Sequence, residues 1–455
     1  MKRVVLINPP IVGGKGDITG TGTPYWPIVL AQLAAVLKGD YNIEVVDLFG
    51  MEPHHRSIRG DIVRYGAELS DVGDYILEGD VVIVFSGHVI GHSTVLELIK
   101  EIRIAGAKKI IVVEGSNFVN GYPLDKKYDD FLWAGAVPIA GDPYGVIIKV
   151  IEEDYRPRER HLYMDVDKLP IPDWSEFPLI SYWSLSYAHA PKTSGVYVQI
   201  YTSFGCNNRC AFCTNPYMNF SCWRPRPVAK VLEEMRHWYD EGVREFHIED
   251  LNPTPTGARA KELFGAIEAS GMDVIIKIAS GTRIDDLSMD DIDVMYGAGV
   301  RYLSFSPETG SDKLLIKMNK TFSHWHALNM VRHIRLNYYD MVMQVCFILG
   351  YPGETDEDFS KTKRFVLKLA QLGVDEFAFF NFIPSLGSTF EKRIVIGTDD
   401  MTFSSNWRLK NGALRALRMA MIVEVFLVKM IFNPFRTLRN FHKTKIWMVL
   451  KRRLL

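Results

Sequence analysis

Cys206, Cys210 and Cys213 fall within eight residues, in the run Phe204-Gly205-Cys206-Asn207-Asn208-Arg209-Cys210-Ala211-Phe212-Cys213, and only Cys222 and Cys346 complete the cysteines of the chain. Cysteines used as core filler need no such clustering, so the run reads as a ligand set. Three thiolates can hold three corners of a four-iron cluster and leave the fourth iron open to another molecule. Zinc is the competing occupant, but it prefers four ligands and is commonly marked by two paired half-sites, a pattern missing here. Cys222 could close either site, and a closed cluster would only carry electrons. It lies nine residues past Cys213, in a stretch running into Trp223-Arg224-Pro225-Arg226-Pro227 that suits a chain leaving the site, so it is read as a non-ligand.

Alternating strand and helix patterns surround these thiols. Residues 196–201 read as the strand that delivers the cysteine loop, followed by a helix over 228–241, a strand over 245–250 and a helix over 257–270. Strands recur at 274–279, 302–306, 343–349 and 376–382. Six such units make a partial (β/α)6 barrel, whose functional side chains gather at strand ends. Glu249 and Asp250 end one strand, and Ser306-Pro307-Glu308-Thr309-Gly310 another. Phe347-Ile348-Leu349-Gly350-Tyr351-Pro352-Gly353 ends a third, with glycines that permit close approach. Arg283 could meet a carboxylate in bidentate fashion or stand exposed in its loop. Cys346 reads as a residue of an apolar strand.

The first part of the chain has another rhythm. Short β-branched runs at 3–8, 43–47, 81–85 and 109–113, with helices over 27–37 and 94–105, predict a parallel doubly wound sheet. Such sheets bind ligands beyond the carboxyl ends of their strands. The loops there are Asn8-Pro9-Pro10, Ser86-Gly87-His88 and Glu114-Gly115-Ser116-Asn117, whose small residues would admit a large planar group. Residues 13–22 read as a glycine-rich loop. A dinucleotide is disfavoured, because no Gly-x-Gly-x-x-Gly follows the first strand. Residues 152–190, rich in proline and aromatics, read as a connection that wraps rather than packs.

The Cys-x-x-x-Cys-x-x-Cys spacing, with Phe212 before the last cysteine, resembles the radical S-adenosylmethionine superfamily, and the sheet ahead of it resembles the cobalamin-binding domain fused to many members. The resemblance covers residues 1 to about 395. It implies a 4Fe-4S cluster on Cys206, Cys210 and Cys213, with S-adenosylmethionine on the open iron and one-electron cleavage to a 5'-deoxyadenosyl radical. Phe212 and Gly350 would border the adenine, Glu308 the ribose, and Glu249 and Asp250 the methionine part. Pro9, Ser86, Gly87, Gly115 and Ser116 would contact cobalamin. No Asp-x-His-x-x-Gly follows the first strand, so a histidine below cobalt is not expected, and His88 reads as a polar loop residue. The implied activity is methylation of an unactivated carbon of a small, lipid-like or secondary-metabolite substrate, with an external electron donor such as flavodoxin or ferredoxin. Oxidation, cyclisation or rearrangement without methyl transfer is the alternative, and a non-catalytic electron carrier or cobalamin sensor a second. Methylthio transfer would require further cluster cysteines upstream, and none precedes Cys206.

The expected organisation is therefore α/β: a cobalamin-binding doubly wound sheet over 1–151, a linker over 152–190, a radical S-adenosylmethionine core over 191–395 and a basic amphipathic helical region over 396–455. A net charge of -1 with 24% charged residues gives no reason to expect a nucleic-acid partner. The charge is unevenly placed, since residues 408–455 hold twelve Lys or Arg and the single acid Glu424. Apolar residues recur there at helical spacing, interrupted by charges, so no run reaches the roughly 18 residues needed to span a bilayer. Such a tail either lies on an anionic membrane or covers the barrel's open edge. No signal-peptide pattern opens the chain and its thiols suit a reducing compartment, so a cytoplasmic location is expected, with peripheral membrane contact through the tail.

Overall fold

The computed structural model describes residues 1–15, 22–60, 62–118, 121–393 and 412–444. The chain divides into two compact units, one of residues 1–185, 212–225 and 384–406, the other of residues 186–211, 226–383 and 407–455.

The first unit is built on a five-stranded parallel sheet. Its strands lie in the order Asn42–Asp47, Arg3–Asn8, Val81–Phe85, Lys109–Val113, Val137–Ile139. The central runs Val4–Ile7, Val81–Val84 and Ile110–Val113 are buried throughout, as a sheet covered on both faces requires. Chain order reverses between Arg3–Asn8 and Val81–Phe85, which opens a crevice beyond their carboxyl ends. Helices Ile28–Leu37 and His92–Ile104 supply crossovers.

Two local readings differ from this unit. The glycine-rich stretch begins as a strand: Ile11–Gly14 pairs antiparallel with Ile62–Tyr65, which pairs with Arg56–Arg59. Glycines mask strand propensity, but here Val12 packs against Ile62 and Ile90 and the flanking glycines need only extend. Residues 16–21 lie outside the described residues. The proline-rich connection packs rather than wraps. Trp174 meets Trp26 edge-on at 5.1 Å, and the Tyr182 hydroxyl donates to Asp47 Oδ2 at 2.6 Å, with Asn8 Nδ2 donating to Asp47 Oδ1 at 2.8 Å. Rings set between prolines bury large areas at little entropic cost, and that burial docks the segment.

The second unit carries six parallel strands in simple chain order: Val198–Ile200, Glu245–Ile248, Ile275–Thr282, Val300–Glu308, Val342–Leu349 and Glu376–Asn381. Helices alternate with them, including Val228–Asp240, Gly257–Ala269, Met289–Gly297, His324–Asn337 and Asp356–Gln371. Capping boxes at Ser288/Asp291 and Thr355/Asp358 fix two helix starts. Each connection returns the chain to the same end of the sheet, so every strand's carboxyl end opens on one rim.

The strands also bury charge. Glu245 accepts from His247 Nε2 at 2.8 Å, Thr193 Oγ1 at 2.7 Å and Ser194 N at 2.7 Å, and pairs with Lys277 at 2.9 Å. Burial alone would raise its carboxyl, but His247 and Lys277 overcome it and hold the pKa at about 2. A carboxyl depressed from 4.5 contributes stability present above that value and lost as pH falls toward 2. Glu245→Gln is therefore expected to cost ~3 kcal/mol at neutral pH. Urea midpoints should show its gap to the parent narrowing between pH 5 and pH 2, on the order of one tenfold loss in equilibrium constant per pH unit.

Candidate active site

The part of the cysteine loop that lies in the second unit, up to Ala211, is anchored there at several points. Asp250, just past Glu245–Ile248, accepts from Thr202 N at 2.7 Å, Thr202 Oγ1 at 2.6 Å and Ser203 Oγ at 2.6 Å, tying the entry of the loop to the neighbouring strand. Full burial lifts its carboxyl to about 6 against these bonds. Farther along, Ala211 N donates to Met318 O at 2.8 Å, Asn319 Nδ2 to Arg209 O at 2.7 Å, and Arg283 Nη1 to Asn208 Oδ1 at 3.0 Å. Asn319 adopts φ 50°, a left-handed conformation that asparagine tolerates.

None of the five cysteines forms a disulfide, and Cys206, Cys210 and Cys213 are half-buried. Asn208 Nδ2 approaches Cys206 Sγ at 3.5 Å, and Asn215 N approaches Cys213 Sγ at 3.4 Å. Burial pushes the Cys210 thiol up, while Lys320 and Arg283 pull in the opposite direction. Donors and cations around sulfur are what thiolate ligands need. Among the described residues no three His, Cys, Asp or Glu side chains gather as they would around one metal ion. A four-iron cluster takes one thiolate per iron, so this donor set fits it without such convergence.

Around the rim, Glu249 Oε2 lies 2.5 Å from His189 Nδ1, while its Oε1 is buried with no hydrogen-bond partner among the described residues. Ser280 Oγ, Thr282 Oγ1 and Asn381 Oδ1 share that condition near the carboxyl ends of their strands. Each such atom costs about 1–3 kcal/mol while unmet. They are two acceptor oxygens and two hydroxyls, each of which a polar ligand reaching it would satisfy. Glu308 stands at φ 64° and pairs with Lys320 at 2.7 Å, and Lys320 also donates to Ser306 O at 2.6 Å. Gly350 adopts φ 74°, and its N–H donates to Glu354 Oε2 at 2.6 Å. A β-carbon there would come within 2.8 Å of Leu414. Phe212 is half-buried in the turn before Cys213.

The first unit has its own cleft, at the crevice where strand order reverses. It is lined by Asn8, Pro9, Ser86, Gly87, His88 and Phe118, with Tyr25 among the other walls. Ser86 Oγ is buried and has no hydrogen-bond partner among the described residues, so this wall holds an unmet polar group that a ligand in the cleft would satisfy. His88 contributes a ring packed edge-on to Phe118 at 4.5 Å. Gly115 and Ser116 do other work: the space over Gly115 is taken by Phe118 and Phe85, and Ser116 Oγ donates to Asp142. A β-carbon at Gly87 would likewise meet the Phe85 ring, at 2.8 Å.

Sequence reasoning singled out neither Lys320 nor His189, Tyr25 nor Phe118. Lys320 follows the short helix Asp312–Lys317 and reads as a solvated terminal lysine, and only the fold brings it to Glu308.

Residues 200–366 match the radical SAM superfamily model. Over 441 residues the chain is 24% identical to a cytidylyl-2-hydroxyethylphosphonate methyltransferase of Streptomyces wedmorensis, covering 85% of this chain and 80% of that one. Its structure resembles that of the radical S-adenosylmethionine methyltransferase TsrM of Kitasatospora setae, solved with tryptophan and a S-adenosylmethionine analogue, with TM-score 0.61 at 17% identity over 86% of this chain and 76% of that one. It also resembles the cobalamin-dependent radical enzyme OxsB, solved with aqua-cobalamin and S-adenosylmethionine, with TM-score 0.65 at 10% identity over 99% of this chain and 78% of that one. The radical SAM match thus runs from the first strand of the second sheet through the cysteine loop and on to the helix after the fifth strand, and the fold is similar to those of TsrM and OxsB along most of the chain.

Proposed function

We propose that the chain is a cobalamin-dependent radical S-adenosylmethionine enzyme that methylates an unactivated carbon of a small molecule. The observation that carries this reading is that one chain holds both a ligand cleft at the crevice of the first sheet and a loop with three cysteines, none of them in a disulfide, that follows the first strand of the second. Cys206, Cys210 and Cys213 would hold the 4Fe-4S cluster, and the wall formed by Pro9, Ser86 and Gly87 would receive part of cobalamin. When bound, these groups supply a 5'-deoxyadenosyl radical and a transferable methyl group.

The protein's own residues provide position and exclusion of water. Asp250, Arg283 and Asn319 fix the backbone of the cysteine loop. Glu249 and the unmet hydroxyls of Ser280 and Thr282 would orient the polar end of S-adenosylmethionine, with Glu308 on its ribose side and Gly350 and Phe212 toward adenine. Electrons would come from a small donor protein of the flavodoxin or ferredoxin kind.

Anaerobic reconstitution followed by incubation with methyl-labelled S-adenosylmethionine tests the reading. Iron, sulfide and cobalamin spectra should appear in one preparation, with label carried into product. Stoichiometric 5'-deoxyadenosine without label in product would replace methyl transfer by oxidation, cyclisation or rearrangement. A preparation holding iron but excluding cobalamin would overturn the two-cofactor reading.

A further inference from the structure

The helix Gly412–Phe432 is apolar on the side it turns away from the protein. Its buried residues, Met421 and Val425, face inward with the helix packed on Asp356–Gln371 and on the last strand. Glu424 pairs with Lys363 at 2.7 Å, and Lys429 donates to Asp375 O, so two of the helix charges are directed onto the protein. The other side carries Met419, Val423, Phe426 and Leu427, each at least half exposed, with Phe426 and Leu427 three and four residues after Val423, which itself lies four after Met419. The next helix, Pro434–Asn440, continues the pattern with Phe435 84% and Leu438 64% exposed.

This face is held firmly. Arg436 is buried and donates to Asp375 Oδ2 at 2.7 Å, Met341 O at 3.0 Å and Gly373 O at 3.1 Å, and Asn440 Nδ2 donates to Asp375 Oδ1 at 2.9 Å. Arg436 thus anchors the tail rather than joining a solvated basic face. Monomeric proteins seldom display contiguous apolar surface of this kind without an occupant. Charge identifies the occupant. Residues 408–455 carry a net +11, which repels a second copy bringing the same charge and attracts an anionic surface. Among the described residues no helix is long and apolar enough to cross a membrane. The basic residues Lys445, Lys451, Arg452 and Arg453, and the apolar run Ile446–Leu450, follow in sequence but lie outside the described residues.

We propose that the exposed face of these two helices seats in the interface of an anionic membrane, with the helices in the plane of the bilayer. Partition of the apolar side chains supplies depth, and the surrounding Lys and Arg supply the preference for anionic lipid. The inference concerns where the protein works, and it stands independently of which reaction the rim performs.

Full-length protein is sedimented with vesicles of phosphatidylcholine alone or mixed with phosphatidylglycerol. Binding should be at least about tenfold stronger to the mixed vesicles and weaken as salt rises. Phe426→Ser/Leu427→Ser should reduce binding by about tenfold or more, and Phe435→Ser/Leu438→Ser by a similar factor. These side chains are exposed, so melting temperature and iron content should match the parent, which verifies folding for each variant. Equal binding to both vesicle types, or unchanged binding by both folded variants, overturns the proposal. So does a salt-resistant dimer in gel filtration that the substitutions dissociate, since the face would then belong to a second copy.

Discussion

Replacing Cys206, Cys210 or Cys213 by alanine, one at a time, is expected to reduce 5'-deoxyadenosine formation to background and to strip most of the iron after anaerobic reconstitution. On the proposed reading each thiolate would ligate a different iron, so the loss of any one would open a second corner and expose the cluster to solvent and dissociation. Cys222→Ser is the decisive contrast. Cys222 follows Phe220 and Ser221, both in the left-handed region at φ 49° and 53°, and its N–H donates to Asn219 O at 2.8 Å. Full iron, sulfide and cleavage activity in this variant would leave the fourth iron to S-adenosylmethionine. Loss of the cluster would instead make Cys222 a ligand and the protein an electron carrier. Cys346→Ser should retain the cluster as well, since Cys346 sits mid-strand beside Ser304 Oγ at 3.8 Å.

Glu308→Gln should cost about 3–5 kcal/mol of stability, because it leaves the Lys320 ammonium buried without its counter-charge. Burial by itself would release the proton from Lys320, but Glu308 and Cys210 hold it in place. Glu308 also sits at φ 64°, strain that persists only where surroundings enforce it. The double variant Glu308→Gln/Lys320→Met should regain most of the lost stability, because no buried charge remains unpaired. Cleavage of S-adenosylmethionine should stay at least about tenfold below the parent in the double variant, if Glu308 contacts the ribose and Lys320 steadies Cys210. Restoration of both stability and cleavage would reduce the pair to a structural role.

The parts legible in the sequence were those written in local pattern. The strands Lys109–Val113 and Val342–Leu349 announce themselves as β-branched or apolar runs, and the cysteine spacing names its own chemistry. Glu249 was visible as an acid at a strand end, whereas its partner His189 was not, because the contact spans sixty residues. Lys320 was hidden although it is near Glu308 in sequence, because only the fold of the turn and the short helix Asp312–Lys317 between them brings the two side chains together. Gly87 and Gly115 were legible as positions needing a small residue, but the packing of Phe85 and Phe118, which a β-carbon at either would meet, was not. The docking of Trp174 and Tyr182 was missed because prolines suggest an extended linker and say nothing of where aromatic rings settle. The tail was readable as basic and amphipathic, but only the structure shows that Arg436 points inward and the apolar stripe outward.

The simple succession of strands in the second sheet bears on biosynthesis. Each strand pairs with the one made just before it, so during translation the sheet can lengthen by one strand at a time without waiting for distant sequence. Every intermediate then ends in a bare edge, a template for aggregation on a ribosome-bound chain. Glu376–Asn381 is the last such edge, and the helix Gly412–Phe432, emerging some thirty residues later, packs against it. The nascent protein is thus most vulnerable in the interval between those two segments, when the sheet is complete and its cover has yet to leave the exit tunnel.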